Sequence, residues 1–208
     1  MKSTGGTGRI NQKTRTRAAI VDACRQLIKT GADVTMPEVA KLALVSDATM
    51  YRYFPDLASL VNEALSGLWP SPDEALAPID AVADPIERIA FTAEEFLRRV
   101  LTYQGSVRAM ISATITRSAT HATRPRLRFA WIEYALAPMQ NGRGHLDAQT
   151  LAQLKQDLAV IISAEALFTL TDLCGLRPNE AIASAVRMAT TITAATIPVE
   201  RVAHPEPA

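Results

Sequence analysis

Apolar residues recur three and four positions apart along most of this chain, the spacing of a helix face, and strict alternation is hard to find. Ile20, Cys24, Leu27 and Ile28 form one such stripe and Gly31 supplies a C-cap, so the spacing predicts a first helix over 14–30. The Gly-, Ser- and Thr-rich stretch before it, 1–12, is expected to be mobile. Thr35 and Glu38 make a T-x-x-E capping box with Pro37 in the first turn, which predicts a short second helix ending near Ala43. Ser46 is the next N-cap and Asp47 places negative charge at the positive end of a third helix, 47–53. Pro55 stops it. Asp56 caps a fourth, whose buried face is Leu57, Leu60, Val61, Ala64, Leu65 and Leu68.

Pro70, Pro72, Pro78 and Pro85 then mark a boundary, read as a connection over 70–84. Longer helical patterns follow at 85–103, 105–119, 126–137, 147–173 and 178–196, and the tail 198–208 is expected to fray. The helix over 126–137 carries apolar residues on two faces, Leu127, Ala130, Trp131 and Tyr134 on one and Phe129, Ile132 and Leu136 on the other, so it is expected to be sandwiched. The fold class is all-α with about nine helices. The domains are a helix-turn-helix unit with a basic arm, 1–69, the connection, 70–84, and a second helical domain, 85–197.

Composition changes this picture little. Apolar residues are 48% of the 208, enough for a core. Cys24 and Cys174 each fall in an apolar helical pattern and are expected to be buried free thiols. No run approaches the roughly 18–20 apolar residues that cross a bilayer, and the N-terminus lacks the apolar core of a signal peptide, so a cytoplasmic protein without membrane contact is expected. Net charge is +1, but residues 1–69 carry nine Lys/Arg against six Asp/Glu, and the first seventeen residues carry five basic groups and no acid. That asymmetry hints at nucleic acid and is equally compatible with a solvated tail.

Catalytic chemistry finds little footing. His121, His145 and His204 show no metal-ligand spacing with one another or with cysteine, and "GRGH" is too short for a phosphate loop. No catalytic residue, metal site or cofactor is assigned. The expectation is a protein that is not an enzyme.

"LALVSDATMYRYFPD", 42–56, crowds Tyr51, Tyr53 and Phe54 around Arg52 in a chain of eleven aromatics. Two short helices joined by a tight turn and braced by longer ones are a helix-turn-helix, whose second helix enters the major groove with its first residues at base edges. Met50 and Phe54 point inward, and Asp47, Ala48, Thr49 and Arg52 are free to face bases. The hydroxyls of Tyr51 and Tyr53 flank them within reach of phosphate. The candidate DNA-binding residues are these together with Lys13, Arg15 and Arg17 of the arm, Thr35 and Ser46.

Thr35, Val39–Ala40, "ALVS" at 43–46, "ATMYRYF" at 48–54 and Leu60 resemble the N-terminal domain of the TetR family of bacterial transcription regulators, over about 14–66. Two departures stand out. Leu44 occupies the place of the family's turn glycine, where a left-handed conformation costs a leucine about 1 kcal/mol or more. Leu57 replaces the lysine that contacts phosphate. Asp47 also brings a carboxylate near DNA, where it accepts from a cytosine amine or repels phosphate.

The resemblance implies double-stranded DNA with a palindromic operator, a small-molecule effector, and a homodimer through the helices about 147–173 and 178–196. Leu151, Leu154, Leu158, Ile161 and Ile162 on one, and Ile182, Ala185, Val186, Ala189, Ile192 and Thr193 on the other, are the candidate seam, with plain intrachain core as the alternative. Phe91, Phe96, Tyr103, Met110, Trp131, Tyr134 and Phe168 are candidate ligand contacts for an apolar or aromatic effector; for each, ordinary core is the commoner role. Glu165 and Asp172, seven apart on an apolar stripe, need partners, either Arg98, Arg99 or Arg187, or a cationic ligand group. The expected function is a DNA-binding transcriptional regulator, a repressor released by a largely apolar ligand. The competing reading is a helical small-molecule-binding protein with weak or lost DNA binding, which would lack salt-dependent affinity for duplex.

Overall fold

The computed structural model describes residues 5–32, 34–115, 127–141 and 146–197, and among them all regular structure is helical. His121, His145, His204, the loop glycines Gly142 and Gly144 and the tail from 198 lie outside the described residues.

The helices are α1 (Gly5–Thr30), α2 (Met36–Leu42), α3 (Asp47–Tyr53), α4 (Leu57–Ser66), α5 (Pro72–Leu76), α6 (Pro85–Thr102), α7 (Gln104–Ile115), α8 (Leu127–Leu136), α9 (Pro138–Asn141), α10 (Ala148–Ile161), α11 (Ala164–Phe168) and α12 (Pro178–Thr196). A 3₁₀ turn, Ala77–Ile79, follows α5, and a π-helical turn, Thr169–Leu173, follows α11. The chain divides within α6 into two units. One holds residues 1–70 and 100–125, the other 71–99 and 126–208.

In the first unit α1 packs on α2 and α4, α2 on α3, and α7 on α4. Its core is Ile20, Cys24 and Ile28 of α1, Val39 and Ala40 of α2, Met50, Phe54, and Leu60, Val61 and Ala64 of α4. The helix at 104–115, read above with the second domain, thus belongs to this unit, where Val107 and Met110 are buried. Arg25 of α1 donates to Ala64 O at the end of α4, and its guanidinium occupies the space that a Cβ at Gly67 would need.

The start of α1 corrects the expectation of a mobile stretch for residues 5–12; residues 1–4 lie outside the described residues. The helix begins at Gly5, nine residues before the predicted start. The apolar stripe anchors a nucleus over 20–28, and each residue added to an existing helix gains a hydrogen bond without repeating the cost of nucleation.

In the second unit α8 packs on α5 and α10, and α12 on α10 and α11. Trp131, Ile132, Ala135 and Leu136 are all buried, as a helix with apolar residues on two sides requires. The stretch 70–84 is more than a connection. Pro72 opens α5, Ser71 N–H donates to the Glu74 carboxylate, and Leu76 and Ile79 are buried. Serine, proline and two acids in sequence are a helix start as well as a proline cluster.

The predicted helix over 147–173 is broken. Ile162 leaves the helical region at ψ 67°, and Ser163 caps a new start by accepting from Ala166 N–H at 3.0 Å. With the π-helical turn after it, this break takes Glu165 and Asp172 out of phase with Leu151, Leu158 and Ile161. Glu165 pairs with Arg128 at 3.4 Å, and Arg128 also donates to Ala159 O near the end of α10. The proposed partners are engaged elsewhere, Arg98 with Glu94, Arg99 with Glu95 and Arg187 with the Ser184 hydroxyl. Asp172 is exposed and accepts from the Thr171 hydroxyl.

The expected dimer stripes are mostly intrachain core. Leu154, Leu158 and Ile162 are buried, as are Ile182, Ala185, Ala189 and Thr193. Among the described residues, the large apolar ones this unit leaves exposed are Val160, Leu173 and Met188. Cys174 is likewise exposed, contrary to expectation, because it ends the π-helical turn just before Gly175, at φ 68°. Cys24 is buried in α1, and burial pushes its thiol up to about 12. A thiol reagent at pH 8 is therefore expected to modify one cysteine per native chain, Cys174, and both after denaturation. Mass spectrometry of the labelled peptides checks this, and fast labelling of Cys24 would contradict the packing of α1.

Candidate nucleic-acid interface

The interface is built on α3, a helix of only seven residues. Alone it would not persist in water, since helices that short do not offset their nucleation cost. Three local devices hold it. Ser46 caps it, accepting from Thr49 N–H at 3.3 Å and donating to the Thr49 hydroxyl at 3.0 Å. Met50 and Phe54, four apart on one face, are buried to 0% and 1% exposure. Phe54 leaves the helix in extended conformation, at φ −131°, as the residue before Pro55 is biased to do.

A fourth device comes from α1. Arg17 lies 4.4 Å from the Phe54 ring centroid, donates to Tyr53 O at 3.3 Å, and forms a two-pronged pair with Glu63 on α4. One guanidinium thereby ties the end of α3 to α1 and α4. Sequence reading placed Arg17 among the candidate DNA-binding residues of the basic arm. The structure engages it in bracing α3, through a carboxylate 46 residues away that no local pattern announces.

The opposite flank of α3 is open. Asp47, Ala48, Tyr51 and Arg52 are exposed, Tyr51 to 55%, while Thr49 and Tyr53 are half-buried. The Arg52 guanidinium lies 5.5 Å from the Tyr53 ring centroid. Thr35 is exposed and caps α2 by accepting from Glu38 N–H at 3.3 Å. Lys13 and Arg15 are exposed on α1.

A groove of about 790 Å³ runs between the first turns of α1 and the turn leading into α3. Ile10, Gln12, Lys13 and Thr16 make one wall, and Leu44, Val45, Ser46, Thr49, Arg52 and Tyr53 the other. Lys13, Ser46, Thr49, Arg52 and Tyr53, all singled out from the sequence, therefore line one surface. Ile10, Gln12 and Thr16 were not singled out; Ile10 and Gln12 precede the predicted start of the first helix, and Thr16 carries no charge to mark it within the basic arm.

The ligand candidates divide between the units. Tyr103 and Met110 fall in the first; Phe91, Phe96, Trp131, Tyr134, Glu165 and Phe168 fall in the second. There Phe96 meets Trp131 edge to face at 5.5 Å between centroids. The Tyr134 hydroxyl donates to Asp80 at 2.6 Å, and that hydrogen bond holds its pKa above the ordinary phenol value. Among the described residues no three His, Cys, Asp or Glu side chains gather as a metal site, and no helix is long and apolar enough to cross a membrane.

A capped, seven-residue helix with one face in the core and the other open, behind a tight turn, defines a helix-turn-helix reader. Residues 20–64 match the family model of bacterial regulatory proteins, tetR family, so the reader of this chain belongs to that family. The crystal structure of a TetR transcriptional regulator from Rhodococcus sp. RHA1 superposes with a TM-score of 0.59 at 20% identity, covering 93% of this chain and all of that one, which is a likeness of fold. No curated protein matches the sequence.

Proposed function

We propose that this protein is a transcriptional repressor that reads a palindromic duplex as a two-fold dimer and leaves it when a small, largely apolar ligand binds. One observation carries the DNA reading: Met50 and Phe54 lock α3 to the core while Tyr51 and Arg52 on its other flank stay open. Arg52, Ala48 and Thr49 face base edges in the major groove, and Tyr51 with Lys13 meets phosphates. The Arg17 brace makes the presentation of α3 rigid. Such a regulator works in the cytoplasm, where the DNA is.

Dimerisation rests on family likeness and on the exposed apolar residues Val160, Leu173 and Met188, which a second copy would cover. Two such readers span one DNA turn, about 34–36 Å, or somewhat more. The effector role rests on the aromatic cluster around Phe96 and Trp131 in the second unit, with Phe91 and Phe168 half-buried. A ligand that binds a conformation with another spacing of the readers shifts the population and lowers affinity for DNA.

Selection from a random duplex pool tests this reading, with an enriched palindrome as the expected result. On that duplex Arg52→Ala is expected to weaken binding about tenfold or more and to relax one base position, the range of a lost bidentate contact. Tyr51→Phe should weaken it a few-fold without changing base preference. Unchanged affinity in both variants would remove α3 from the interface.

A further inference from the structure

Leu44 is the one described residue other than glycine with a left-handed backbone, at φ 54°, and its side chain is 91% exposed. The turn it occupies is held by the main chain. Leu44 N–H donates to Lys41 O at 3.3 Å and Val45 N–H to Ala40 O at 3.0 Å. Glycine would make the same turn without the steric cost that a Cβ brings. The leucine side chain therefore strains the turn, and its burial offsets almost none of that strain. A strained residue facing outward points to contact with another molecule.

The surroundings say which molecule. Leu44 lies on the rim of the groove between α1 and α3, beside Ser46 and Thr49 at the start of α3. Ile10, 67% exposed, lines the other wall. Lys13 and Arg52 make the same groove positive, which suits a polyanion. The apolar group that a duplex presents at the major-groove edge is the C5-methyl of thymine. We propose that Leu44 is a specificity-determining residue that packs on a thymine methyl at the edge of the stretch read by α3. This assignment rests on the DNA reading above and adds a base preference to it.

The test uses the duplex enriched by the full chain, with its thymines replaced one at a time by deoxyuridine, which differs only by that methyl. At one thymine in each half-site the wild type should lose about fourfold in affinity, the value of one buried methyl. Leu44→Met should keep this penalty. Leu44→Gly and Leu44→Asn, which suit the left-handed turn, should abolish it while melting no lower than wild type. Equal binding to all deoxyuridine duplexes, a selected site without thymine there, or an undiminished penalty in Leu44→Gly would overturn the assignment, and equal binding would leave contact with deoxyribose instead. Those outcomes spare the regulator reading. Failure of the wild type to bind any selected duplex removes that reading, and this one with it.

Discussion

Replacing Arg88 with methionine is expected to destabilise the second unit by about 3–5 kcal/mol, a large share of the stability of an ordinary domain. Arg88 is 3% exposed and pairs with no carboxylate among the described residues. Its guanidinium instead serves four main-chain carbonyls. Nε donates to Ala135 O at 2.8 Å, Nη2 to Tyr134 O at 3.1 Å, and Nη1 to Ile79 O and to Val82 O, the latter at 3.2 Å. Two acceptors belong to the last turn of α8, where carbonyls lack helical partners and the helix dipole favours a cation. The others belong to the 3₁₀ turn and the bend after it. Methionine fills similar space without donors, so the loss measures the buried carbonyls left unsatisfied. Lysine has one compact donor group in place of the fork and should recover only part. Urea melts give the magnitude, and hydrogen exchange should show faster opening around 79–82 and 134–136. A loss under about 1 kcal/mol would mean that water replaces the guanidinium easily.

Phe54→Ala is expected to cost the first unit about 3–5 kcal/mol and to lower duplex affinity more than tenfold. The ring is 1% exposed, and its removal takes away the anchor of a seven-residue helix together with the face on which Arg17 rests. Arg17 would still reach Glu63, but α3 would lose its fixed angle to α1 and α4. Phe54→Leu, which keeps most of the volume, should cost about 1–1.5 kcal/mol and retain binding. Thermal melts with a duplex titration at fixed salt check both variants. Retained affinity in Phe54→Ala would show that DNA itself can order α3.

The reader was legible because its signals are local. Ser46, Asp47 and Pro55 bracket α3 within ten residues, and the observed bounds, Asp47–Tyr53, agree with them. Met50 and Phe54 could be assigned inward by helical spacing alone. The break at Ile162–Ser163 was legible in principle, since Ser163 followed by Glu165 is a start signal, but the continuous apolar pattern around it masked the cap. Glu165 then acquired an impossible set of neighbours, because helical phase does not carry across a break. Cys174 was misplaced for the same reason.

The residue pattern by itself determined the all-helical class, the caps and ends of the reader, and which face of α3 lies inward, because each depends on groups within about one or two helical turns. Only the tertiary structure decided that Arg17 braces α3 through Glu63, that Arg88 collects four carbonyls, and that Leu44 stands strained on the rim of a groove with Ile10 across from it. Those depend on groups brought together from up to 47 residues apart, and the direction of a side chain toward so distant a partner is set by packing.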